Sequence, residues 1–340
     1  MNLENRETSN PRMNAFLIAL ALFLVQDPKP LVIEAGPLTC EVHISRTAHL
    51  FHVVDQLSEW SEHCHRQYGR HFERGLTSFD RDVLEEHVKI RKKRGWGAGL
   101  EQTFYSPLDV EGAIKIGVEK KHIDADQGAI ERKIFDLFAP RVDKLIADHR
   151  KILDSYADRL LQEKKRLTDF AERTSKLFGG AKVSVPVYLI ANPHDEDMGG
   201  GFNGQIVAVE IPRVADAYPT LIHEIFHAFL HLRRDKIEEA AKRVDGLDFM
   251  TLNEGLAHAL APGIFNTEKP GDDPLEKTVK RYQREGKVLK DYYYRVYRFG
   301  LELRPLMKEA LDAKDGSIDK VIPKAADLWR VLVAKERSRS

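Results

Sequence analysis

His223, Glu224 and His227 are the residues of this chain whose types and spacing promise chemistry. They stand as His-Glu-x-x-His, and the apolar residues around them, Ile222, Ile225, Phe226 and Phe229, follow the spacing of a helix. A helix turns ~100° and rises ~1.5 Å per residue, so residues four apart stand about 40° apart and about 6 Å along one face. Both imidazoles can therefore reach a single metal ion. Glu224 lies one step round, beside the ion and free to handle a proton. The apolar face would bury the helix and hold the ligands rigidly.

Two imidazoles leave a tetrahedral ion in need of a third protein ligand and an open position for water. A third histidine after a glycine turn on the same helix is not available, because Leu230 stands where the glycine would and Arg233 where the histidine would. His231 lies one further turn along, and three turns of a straight helix do not converge on one tetrahedral ion. A glutamate on a following helix is available in Leu252-Asn253-Glu254-Gly255-Leu256-Ala257-His258.

His-Glu-x-x-His followed by Asn-Glu on a second helix resembles the gluzincin metallopeptidases. The resemblance covers about Val183 to Leu260 and rests on two short motifs in the right order. Carried over residue by residue, it implies one Zn2+ held by His223, His227 and Glu254. It implies Glu224 as the catalytic general base, and water made nucleophilic by the metal for hydrolysis of peptide bonds in a peptide or protein substrate. The strand Gln205 to Ile211 then stands where the family places the sheet edge that pairs with a substrate backbone. A Tyr or His from the C-terminal half would meet the negative charge developing on the scissile carbonyl. Tyr292, Tyr293, Tyr294 and Tyr297, beside Arg295 and Arg298, are the candidates. Aminopeptidases of the group carry Gly-x-Met-Glu-Asn on the edge strand. Gly200-Gly201-Phe202-Asn203-Gly204 departs from it, so endopeptidase action is the expectation. His258 departs from the family too, which often has a carboxylate there to orient a zinc-bound imidazole. The alternative reading is a catalytically inactive binding or scaffold protein of zincin fold, and the intact Glu224 counts against it.

The elements that must position these residues are legible in outline. From about Ala48 to Leu177 apolar residues recur at helical spacing, with extended structure expected within Thr103 to Ile116 and one long charged helix over Arg141 to Lys176. The texture then changes to β-branched runs at Val183 to Ile190 and Gln205 to Ile211, joined by an acidic, glycine-rich loop, His194 to Gly201. Helices are expected over Tyr218 to Arg234, Leu252 to Leu260, Leu275 to Met307 with a break near Gly286, and Ile318 to Val333. The expected fold is α+β and predominantly helical, a zincin-like catalytic part with a small antiparallel sheet, an active-site helix and a glutamate-bearing helix. Its parts are residues 1–30 as a signal peptide, 31–180 as a mainly helical N-terminal region, 181–270 as the catalytic part and 271–340 as a C-terminal helical part.

Composition narrows the partners. The 53 basic residues cancel the 53 acidic ones, so no overall charge favours nucleic acid. Two cysteines exclude a disulfide scaffold and leave one conceivable bridge, Cys40 to Cys64, in an oxidising compartment. Arg12, the apolar run Ala15 to Val25 and the polar break Gln26-Asp27-Pro28 read as a secretory signal too short for the ~20 residues that span a bilayer. Export to a periplasmic or extracellular space, with no stable membrane insertion once the signal is removed, is the expectation. The alternative is a buried N-terminal helix in a cytoplasmic protein. His63-Cys64-His65 is not read as a second metal site, since adjacent residues on a helix face different directions. The acidic loop lacks the spacing of a calcium site.

Overall fold

The structure, a computed structural model, describes residues 29–72, 75–97, 99–194, 199–265 and 273–337. The expected signal segment before residue 29 and Asp195 to Asp197 of the acidic loop lie outside them.

The described chain begins with a hairpin, β1 (Leu31–Ala35) and β2 (Leu38–His43), turned by Gly36-Pro37. Gly36 has φ +63° and the ring of Pro37 keeps its own φ negative, the combination of a type II′ turn, whose twist matches the strands it joins. Seven helices follow: α1 (Arg46–Leu57), α2 (Arg66–Phe72), α3 (Ser78–Arg94), α4 (Leu100–Phe104), α5 (Val110–Glu119), α6 (Ala125–Gln162) and α7 (Lys164–Leu177). Three strands come next, β3 (Val183–Ala191), β4 (Gly200–Phe202) and β5 (Val207–Ile211). The chain then continues through α8 (Tyr218–His231), α9 (Arg234–Lys242), α10 (Phe249–Leu260), α11 (Pro274–Arg284), α12 (Tyr292–Asp312) and α13 (Ile318–Arg337). The fold is α+β and predominantly helical.

All five strands form one sheet in the order β1-β2-β3-β5-β4. The expected antiparallel sheet is mixed instead. β2 and β5 both run parallel to β3, and only the outer strands β1 and β4 are antiparallel to their neighbours. A parallel pair needs a long crossover, and the seven helices between β2 and β3 supply one. The sheet thus draws strands from both sides of residue 181. Along β3 and β5 the alternation of strand side chains separates two faces. Tyr188, Ile190 and Ala208 cluster with Ala48 of α1, while Val187, Leu189, Val207, Val209 and Ile211 join the main core with Ile222, Ile225 and Phe226 of α8.

Local expectations shift where tertiary packing intervenes. The long helix starts at Ala125, not Arg141, because Asp124 and Gln127 form a reciprocal capping box there, and it carries Pro140 inside. It stops at Gln162. A separate helix, α7, then turns to lay Leu167, Phe170 and Ala171 in the core beside β1. Thr103 to Ile116, expected to hold extended structure, lies in α4, α5 and their connection, with Asp109 capping α5 by accepting from the Gly112 amide. Cys40 and Cys64 are both buried and unpaired. No helix among the described residues is long and apolar enough to cross a membrane.

The N-terminal helices enclose a charge network. His87 is wholly buried between two carboxylates, with Nδ1 2.9 Å from Glu131 and Nε2 3.0 Å from Asp55, so both ring nitrogens must donate. Arg91, equally buried, pairs with Asp55, donates to Glu101 at 2.6 Å and lies over the rings of Trp60 and Trp96. Burial would lower the His87 pKa, but the charges and hydrogen bonds of Glu131 and Asp55 prevail and hold it up to about 9. A raised folded-state pKa stabilises fully below the unfolded value near 6.5 and stops doing so as pH rises through about 9. Between urea unfolding at pH 6 and at pH 9.5, His87 should therefore account for a loss on the order of 3 kcal/mol at the higher pH. His87→Gln should be the less stable at pH 6 and lack that part of the slope. Equal slopes in both proteins would refute the charged His87.

Candidate metal centre

Helix α8 has no side-chain cap and starts with Pro219 in its first turn, where a missing amide hydrogen costs nothing. Every residue from Leu221 to Leu230 is buried, so the helix is fixed on all sides. His223, Glu224 and His227 are each less than a tenth exposed. Helix α10 is capped by Asp248, which accepts from the Thr251 amide at 2.6 Å. It lies tightly on α12 because two glycines remove side chains from the crossing. A Cβ on Gly255 would come within 2.6 Å of the Phe299 ring, and one on Gly300 within 2.7 Å of His258 Cβ. This close approach stacks the Tyr297 ring on that of His258, with centroids 4.0 Å apart.

The two helices bring the candidate ligands together. His223 Nε2 is 3.1 Å from His227 Nε2 and 3.3 Å from Glu254 Oε2, and His227 Nε2 is 3.4 Å from Glu254 Oε1. Ligand atoms about 2.0–2.1 Å from a tetrahedral ion are separated by about 3.3–3.4 Å, and each imidazole meets the Glu254 carboxylate at about that separation, through a different oxygen. Hydrogen bonds behind the rings set their orientation. His223 Nδ1 donates to the Ala261 carbonyl at 2.9 Å, which turns Nε2 to the cluster. Burial there is outweighed by the Glu254 hydrogen bond and the nearby carboxylate charges, which hold the ring up to about 9, so a metal ion would have to displace the Nε2 proton. The Asn253 amide meets His227 Nδ1 at 2.8 Å. With its carbonyl oxygen turned to that nitrogen, it accepts the Nδ1 proton and turns Nε2 to the cluster in the same way.

His223, Glu254 and His258 offer donor atoms that all lie within 4.8 Å of one another, a group able to hold a metal ion. His258 Nε2 is 3.9 Å from Glu254 Oε2, too far for the same tetrahedral face, so His258 stands a step outside the closer trio. Its Nδ1 is buried with no hydrogen-bond partner among the described residues. The backbone carbonyl of Ala261, not His258, orients the His223 ring.

Charge separates the two glutamates. Burial would raise the Glu254 carboxyl, but His227 and His223 outweigh it and hold the group well below the usual carboxylate range. Burial wins at Glu224, helped by the Glu254 charge, and raises its carboxyl despite His223, His227 and a hydrogen bond from the Phe202 amide. One carboxyl is thus held down and the other pushed up.

The strand beside Glu224 corrects the expected edge. β5 is interior, buried throughout and paired with β3 and β4, so the edge is β4. A Cβ on Gly200 would come within 2.8 Å of Glu224 Cγ and of Thr220 Cγ2, so only glycine lets the strand lie this close. Gly200 and Gly201 are exposed.

The four tyrosines divide as residues on different helix faces must. Tyr294 is buried, with its hydroxyl 3.3 Å from Gln283 Nε2. Tyr293 is exposed, and its hydroxyl is 3.3 Å from His63 Nδ1. Tyr297 lies on His258, and Tyr292 is half-buried, with its pKa raised first by burial and then by Glu254. Tyr297 therefore touches the cluster through His258, and Tyr294 does not. His231 is exposed beyond it. His63 and His65 turn to separate partners, Tyr293 and Glu210, while Cys64 Sγ donates to the Asp55 carbonyl. Sequence reasoning did not assign roles to Asn253 or the Ala261 carbonyl. Asn253 carried a signal in its place beside Glu254, whereas a backbone carbonyl carries none.

No family model, curated protein or solved structure matches the chain. Fold and site define a predominantly helical α+β protein with a buried histidine–carboxylate centre that can hold a metal ion.

Proposed function

We propose that the chain is a zinc-dependent peptidase that cleaves within peptide or protein substrates. The observation that carries this reading is the convergence of His223 Nε2, His227 Nε2 and the two oxygens of the Glu254 carboxylate, in contacts of 3.1–3.4 Å, with Glu224 beside them. Two neutral imidazoles and one carboxylate suit Zn2+, with His223, His227 and Glu254 as its ligands and one position left open. Bound there, zinc supplies a Lewis acid that makes water nucleophilic near neutral pH and polarises a carbonyl.

The residues of the chain supply the rest. Glu224, raised by burial, accepts a proton from the attacking water and passes it to the departing amine. Glu254 stays anionic and anchors both imidazoles. The hydroxyl of Tyr292 or Tyr297 serves as donor to the negative charge developing on the scissile oxygen. The edge of β4 offers backbone groups to an extended substrate, and Gly200, Gly201 and Phe202 bring no carboxylate to capture a free amino terminus, which favours internal cleavage. The apolar run Ala15 to Val25 supports export.

Metal analysis of the purified full-length chain, with digestion of a mixed peptide library, tests the proposal. One zinc per chain and internal cleavages that stop with a chelator and return with zinc are expected. A folded chain that takes up no zinc, or a zinc-loaded one that cleaves nothing, defeats it.

A further inference from the structure

Glu210, on β5, is a wholly buried carboxylate that the mechanism above does not use. It points to the sheet face that meets α1, on the same alternation as Ala208. Its Oε1 accepts from His52 Nε2 at 2.9 Å and from His65 Nδ1 at 3.0 Å. Its Oε2 accepts from Asn192 Nδ2 at 3.3 Å and from the Gly199 amide at 3.0 Å. The main chain repeats the last link in reverse, with the Glu210 amide donating to the Gly199 carbonyl at 2.9 Å. His52 Nδ1 is 2.8 Å from the Tyr105 hydroxyl, which donates to it when Nε2 carries the ring proton.

Gly199 leads directly into β4, and the strand's first residues are gripped from two directions. A Cβ on Gly199 would collide with His65 Cε1, whereas one on Gly200 would fall 2.8 Å from Glu224 Cγ. One residue lies on the His65 ring and the next on the Glu224 side chain. A polar cluster buried this deeply is weak evidence for stability, since well-packed apolar residues of similar volume often serve as well. What apolar residues could not do is bind a backbone amide.

We infer that His52 and His65 act through Glu210 as positioning residues, fixing Gly199 and with it the edge strand β4 against Glu224. The N-terminal helical layer is then part of the working site, not a cover for the sheet. The positioning role rests on the peptidase reading, but the clamp itself can be measured without it.

The test uses the full-length, zinc-loaded chain and the variants Glu210→Gln, His65→Ala and His65→Asn. Backbone hydrogen exchange over 199–202, zinc content, kcat and KM are measured. In His65→Ala and Glu210→Gln, exchange over 199–202 should rise about tenfold, as expected for one lost hydrogen bond to a charged group, while β3 and α8 keep their protection. Zinc should stay bound and kcat should fall about tenfold. The side-chain amide introduced by His65→Asn can place a donor near the site of Nδ1, so that variant should recover most of both effects. Unchanged exchange over 199–202 in both disruptive variants, or a rise spread evenly along the chain, overturns the clamp. Local loosening in a chain whose wild type cleaves no peptide would uphold the clamp and remove only the peptidase reading.

Discussion

Glu224→Gln is expected to lower kcat/KM for peptide cleavage by about 10³-fold with zinc still bound, the scale of losing a general base. In free energy this is about 4 kcal/mol of transition-state stabilisation. The substitution is nearly isosteric, so the side chain still fits beneath Gly200, where space is tight. Its amide oxygen can still accept from the Phe202 amide, as the carboxylate does. What it cannot do is take a proton from water. Because the three candidate ligands are untouched, metal stoichiometry should match wild type, and this separates a lost base from a lost site. Activity within tenfold of wild type would remove Glu224 from the mechanism.

Glu254→Ala should weaken zinc binding by more than a hundredfold. Structural zinc sites bind with about 10–16 kcal/mol shared among four ligands, so one ligand accounts for on the order of 3 kcal/mol, and each 1.4 kcal/mol is a factor of ten. Glu254 also lies 3.3 Å from His223 and 3.4 Å from His227, so its loss opens the cluster on the side both imidazoles face. Competition with a chromophoric chelator gives the affinity, and circular dichroism shows whether the helices persist. Zinc affinity unchanged in a folded Glu254→Ala chain would place the third ligand elsewhere, with His258 the nearest substitute.

The ligand pair shows how far local pattern reaches. His223 and His227 are four apart in a run with helical spacing, and α8 puts their Nε2 atoms 3.1 Å apart. The second motif lies on α10, and its arrival beside α8 depends on the tight crossing at Gly255 and Gly300, which no periodicity announces. The break near Gly286 separates α11 from α12. Elsewhere local texture misled. The run Gln205 to Ile211 has the composition of a strand but nothing that tells an interior strand from an edge, and the short Gly200–Phe202 segment that takes the edge has too little texture to announce itself. The opening hairpin likewise escaped notice, although it supplies the neighbour of β3.

From its order of residues alone this chain determined that it would be mostly helical, that two imidazoles would share a helix face, and that an Asn-Glu pair would follow on another helix. Those properties come from spacing within a few turns, where the backbone period dictates which side chains are neighbours. Tertiary structure alone decided the mixed strand order, the edge at β4, the Ala261 carbonyl behind His223 and the reach of His52 and His65 to Glu210. These depend on pairings between residues far apart in the chain, selected by which buried groups can satisfy one another, and local composition carries little trace of that choice.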